Sequence, residues 1–211
     1  MCFNPMPSAA HHNGKRRGRK GETMITVEEQ QSLIHNIKCT LDECAAKLIA
    51  DKISSNRRWT YECLQRLAKF GVDNGYGVCP WCENMKGEWL YDLIWFKEKK
   101  SDWPNQMTDV LLVGESEWRT GIGDIRYDFQ KLIQAKSALK LLICQELNET
   151  DLKILAEDIE VFVAKDESEI FLFASYYDEL KRFKYGIYHA GQSSKIILKQ
   201  NADKGIWEGA K

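Results

Sequence analysis

No stretch of this sequence comes near the roughly 18 consecutive apolar residues of a membrane-crossing helix, and the N-terminus lacks the apolar core of a secretory signal. The cytoplasm is therefore the expected compartment, and no membrane partner is expected. Histidine is scarce. Of the 4 present, His11 and His12 lie near the start while His35 and His189 are isolated, so no histidine-built metal centre is foreseen. The 7 cysteines are odd in number and dispersed, unlike the dense, even framework of a small secreted domain, so reduced thiols are expected. A formal net charge of −1 neither demands nor forbids a polyanionic partner. Internal repeats and low-complexity blocks are absent.

What is present is enough apolar material, 44% of 211 residues, for one substantial core. Residues 1–23 read as a disordered basic tail, with Lys15, Arg16, Arg17, Arg19 and Lys20 against Glu22 alone. A start at Met24 would leave that tail as a mere leader. Residues 24–211 read as a single domain, and nothing in them requires or forbids an oligomer.

The domain opens on a capping box, Thr26 with Glu29, followed by Leu33, Ile34, Ile37, Leu41, Cys44, Leu48 and Ile49 at helical spacing. A second amphipathic stripe, Trp59, Cys63, Leu64 and Leu67, is expected to run out at Gly71. A turn-rich stretch with a short strand around Tyr76 to Val78 comes next. Two strands, Glu88 to Phe96 and Asp109 to Trp118, are then expected to pair antiparallel across the polar link Lys97 to Thr108. Ile125, Phe129, Leu132 and Ile133 predict a helix, and Leu139 to Cys144 a buried strand. A further helix capped near Thr150 precedes a strand pair, Ile170 to Tyr177 and Phe183 to His189. This order predicts an α/β fold, a mixed β-sheet flanked by helices with helices at its N-terminus.

Acids interrupt the strand pattern. Side chains alternate faces along a strand, so Asp92 is expected to share one with Leu90, Ile94 and Phe96, while Glu115 and Glu117 share one with Leu111 and Val113. Carboxylates withdrawn from water are costly unless paired, protonated or bound to a cation. A hard divalent ion such as Mg²⁺ relieves that cost through oxygen ligands.

Asp92, then Glu115-Ser116-Glu117, then a helix carrying Asp128-Phe129-Gln130-Lys131-Leu132 resembles the PD-(D/E)XK nucleases, the restriction-endonuclease-like family. The resemblance covers roughly Glu88 to Cys144. It implies that Asp92 and Glu115 hold Mg²⁺ (or Mn²⁺), with the Ser116 carbonyl adding a ligand. The family usually has Lys where Glu117 stands; some members carry a carboxylate there, and others move the Lys to the following helix, where Lys131 lies. The resemblance then implies that Glu117 binds metal or orients water and that Lys131 stabilises charge on a scissile phosphate. Glu62, on the second helix, would add an outer carboxylate. The implied function is metal-dependent hydrolysis of phosphodiester bonds in nucleic acid, DNA in the first place.

Plainer readings compete with it. Each of these residues taken singly could be a solvated strand-end acid or helix lysine. The departure at Glu117 and the nearly neutral charge fit a non-catalytic nuclease-fold module for binding or assembly. Cys79-Pro80-Trp81-Cys82 has the spacing of a zinc knuckle or redox pair, but it is only half of a zinc site, and a strand rather than a helix is expected after it. Lys97, Lys99 and Lys100, with Glu98 between and Trp103 after, make a modestly basic link near the acids.

Overall fold

A computed structural model describes residues 26–79, 90–99, 106–163, 169–191 and 195–200. The basic tail, Cys82, Lys100 and Trp103 lie outside the described residues. Helix α1 (Val27–Ala50) begins as its sequence dictates. Glu29 N donates to Thr26 Oγ1 at 3.2 Å, and Thr26 N donates to the Glu29 carboxylate at 2.7 Å. Helix α2 (Asn56–Asp73) passes through Gly71 instead of stopping there. The glycine is a packing residue. A side chain on it would meet the indole of Trp95 and the Val78 side chain.

Among the described residues seven strands follow the chain order across one sheet: β1 (Gly77–Cys79), β2 (Leu93–Lys99), β3 (Gln106–Glu117), β4 (Leu139–Gln145), β5 (Ile170–Tyr177), β6 (Arg182–His189) and β7 (Lys199–Gln200). The flanks β1–β2–β3 and β5–β6–β7 are antiparallel, and the centre β3–β4–β5 is parallel. The two parallel steps are crossovers through α3 (Ile122–Gln134) and α4 (Glu149–Phe162). α4 is capped by Asn148, two residues before Thr150, because the Asn148 side chain accepts from the amides of Thr150 and Asp151.

The sheet separates two apolar layers. On one face α1 and α2 pack Leu41, Cys44, Trp59 and Leu67 against Leu93, Trp95, Leu112, Leu141 and Tyr185. On the other, α3 and α4 pack Ile125, Phe129, Leu155 and Ile159 against Ile94, Val113, Leu142, Phe171 and Phe173. The mixed α/β sheet flanked by helices is as expected from the sequence. Among the described residues no helix is long and apolar enough to cross a membrane.

Three further details depart from the sequence expectation. β2 begins at Leu93, so Asp92 precedes the strand, and Leu90 is 62% exposed although Ile94 is buried. A register shift between Trp95 and Phe96 leaves Leu111 without a partner on β2, and it joins the α1–α2 layer instead of the face of Val113 and Glu115. β7 adds an edge strand that the sequence reading lacks.

Phe129 fixes α3. Its fully buried ring stands 5.7 Å from Phe171 and 5.5 Å from Phe173, and it holds the helix turn that carries Asp128 and Lys131. Phe129→Ala is expected to lower unfolding free energy by about 3–5 kcal/mol, read from urea denaturation; a loss below about 1 kcal/mol would mean that the ring does not anchor α3.

Candidate carboxylate and lysine site

β2 and β3 run antiparallel, so the start of one meets the end of the other. Leu93 pairs with Gly114, and beyond that pair the Ser116 amide donates to Oδ2 of Asp92, the residue before Leu93, at 2.8 Å. This bond ties Asp92 to β3 beside Glu115. Across the parallel ladder Glu115 stands opposite Leu142 and Glu117 opposite Cys144, both on the α3–α4 face.

Glu115 is only 1% exposed. Lys131 Nζ donates to its Oε2 at 2.9 Å and also pairs with Asp128 Oδ1 at 2.9 Å. Glu115 Oε1 is buried and has no hydrogen-bond partner among the described residues. Burial pushes the Glu115 carboxyl up to about 8; the Asp92 charge adds to the rise, while Lys131 opposes it. Burial works against the Lys131 charge, but its hydrogen bonds to Asp128 and Glu115 outweigh that, and the ammonium is held above its usual value. The lysine therefore stays charged whether or not Glu115 is ionised, because Asp128 also holds it. Burial likewise raises the Tyr91 phenol, with the Glu115 charge adding to the effect.

Lys131 thus meets Glu115, and the Ser116 amide holds Asp92 beside them. Glu117 points its chemistry elsewhere. Its Oε1 accepts from the Arg119 amide at 2.7 Å, and its Oε2 pairs with the Arg119 guanidinium at 3.2 Å. Ser116 contributes its amide to Asp92, and its hydroxyl accepts from Trp118 Nε1 at 2.9 Å. Glu62 stands on α2, across the sheet from Lys131, paired with Arg58. Cys79 ends β1; His35 pairs with Cys39 on α1, and His189 closes β6. Lys97 and Lys99 belong to β2 rather than to a surface link.

No family model, curated protein or solved structure matches this chain.

Among the described residues no group of three or more His, Cys, Asp or Glu side chains is arranged to hold a metal ion. Two adjacent carboxylates, one with an unpartnered buried oxygen, still fit a hard cation such as Mg²⁺, which is commonly held by one or two protein carboxylates, the rest of its shell being water and substrate phosphate. Asp128 and Tyr91 had no role in the sequence reading. The spacing of Asp128, three residues before Lys131, was the available signal, and Tyr91 gave none beyond adjacency to Asp92.

The raised Glu115 carboxyl has a consequence for stability. An unfolded glutamate loses its proton near 4.5 and the folded one near 8, so between these values the folded state holds the extra proton. Unfolding free energy therefore falls as pH rises from about 5 to 8, by on the order of a few kcal/mol, and then levels. In metal-free buffer Glu115→Gln is expected to remove this decline and to melt above wild type at pH 8. Parallel melting temperatures of the two proteins across that range would contradict the buried, protonated carboxyl.

Proposed function

We propose that the chain is a Mg²⁺-dependent nuclease that hydrolyses phosphodiester bonds in DNA. One observation carries the reading: a carboxylate buried in the sheet, with one oxygen unpartnered, lies beside a second carboxylate and a charged lysine. A buried acid left in that condition costs stability that a cation would return. The succession of acid before β2, acids closing β3 and lysine on α3 matches what the resemblance to the restriction-endonuclease-like family implies, and the mixed sheet between helices is compatible with it.

In this reading Asp92 and Glu115 hold Mg²⁺ (or Mn²⁺). Bound there, the cation supplies Lewis acidity and lowers the pKa of water at the phosphate. The Ser116 amide keeps Asp92 in place, so the two carboxylates stay together without the ion. Glu115 must give up its proton to take a cation, which makes binding weaken below pH 8. Lys131, anchored by Asp128, presents its ammonium at the rim, where charge develops on a phosphate during transfer. Glu117 serves the site indirectly, by fastening Arg119 and so the turn between β3 and α3.

A second reading rests on that same Glu117. With the third acid committed to Arg119, the fold could bind nucleic acid, or assemble with a protein partner, without cleaving anything.

Purified protein with single-stranded and duplex DNA in Mg²⁺ or Mn²⁺ separates the two. The nuclease reading predicts cleavage that falls at least about 100-fold in Asp92→Ala and in Glu115→Ala. Cleavage equal to wild type in those variants would reject the assignment, and metal-independent binding without cleavage would favour the second reading.

A further inference from the structure

Tyr127 is 70% exposed. The core takes α3 through Ile125, Phe129, Leu132 and Ile133, so Tyr127 is not needed for packing. Its ring lies 6.0 Å from the Lys131 ammonium, the same group that donates to Glu115. An aromatic ring left in water beside a charged site gains most from a flat partner that covers it.

The surroundings extend this arrangement. Arg119, mostly exposed, donates to Asp124 Oδ1 at 3.0 Å in the first turn of α3. Asp124, Tyr127 and Lys131 then follow at i, i+3 and i+7, along one face of the helix. The row from Asp124 to Lys131 covers about 10 Å of helix axis. Leu90, exposed, and Tyr91, half-buried, stand just before Asp92. Apolar surface thus accompanies the charged groups where a polynucleotide would need both.

We propose that Tyr127 is a nucleobase-stacking residue that selects single-stranded DNA. The inference rests on the nuclease reading for the identity of the site and adds the substrate class to it. In a duplex the faces of each base are covered by neighbouring bases, so a ring near a phosphate-binding ammonium is used only by an unpaired base. Stacking on tyrosine tolerates any base, since every base offers a π-face. Lys131 then meets the phosphate while Tyr127 meets the base, and the separation of ammonium and ring sets which nucleotide is held.

The test is fluorescence anisotropy with a labelled mixed-sequence 20-nucleotide strand and its duplex, in Ca²⁺ and at fixed salt, with Tyr127→Ala and Tyr127→Phe. Cleavage in Mg²⁺ is followed in parallel. Single-strand affinity at least about 10-fold above duplex affinity is expected, falling about 10-fold in Tyr127→Ala and retained in Tyr127→Phe. Equal affinity for the two forms, no binding of either, or a Tyr127→Ala variant that binds like wild type would overturn the inference. Cleavage that needs Asp92 but ignores strandedness and Tyr127 would reject stacking and keep the nuclease. Strand-selective binding lost in Tyr127→Ala, with no cleavage of any DNA, would do the reverse.

Discussion

A carboxyl group inside a sheet is the constraint from which the local structure follows. β3 lies between β2 and β4, and Glu115 points from it into the layer under α3, opposite Leu142. Water is not available there to solvate a charge. Lys131 answers one oxygen and leaves the other without a partner among the described residues. The position of that lysine is decided by apolar packing, with Phe129 seated between Phe171 and Phe173 and Ile125 one turn earlier. Core packing and site electrostatics are therefore coupled through a single helix.

Antiparallel pairing of β2 and β3 supplies the second carboxylate. A residue just before one strand necessarily lies beside a residue near the end of the other, and the Ser116 amide secures Asp92 there. The same ladder directs Glu117 towards the β3–α3 turn, where Arg119 takes it. Two acids with the same period on one strand thus serve different purposes: Glu115 is enclosed by α3, and Glu117 is pinned at the turn by Arg119.

Much of this was legible in the residues. The alternation of apolar and acidic positions along β3 marked Glu115 as an acid on an inward face, whereas Asp92 lies before β2 rather than on a strand face, and Lys131 was legible only through the family resemblance. The capping box at Thr26 and the apolar run of β4 likewise announced themselves. What was illegible depends on distant partners. Gly71 resembled a helix stop, but it accommodates Trp95 from another element. Leu111 changed layers because of a bulge that no periodicity encodes. Glu117 looked equivalent to Glu115 until the guanidinium two residues on was seen to hold it.

The most direct measurement is the ionisation of Glu115 itself, followed by the side-chain carboxyl carbon shift in NMR across pH, with and without Mg²⁺. The account predicts a midpoint about 8 in the metal-free protein and a marked fall when Mg²⁺ is added, because the cation stabilises the charged form. A midpoint in the ordinary glutamate range, or one that Mg²⁺ leaves unmoved, would contradict it.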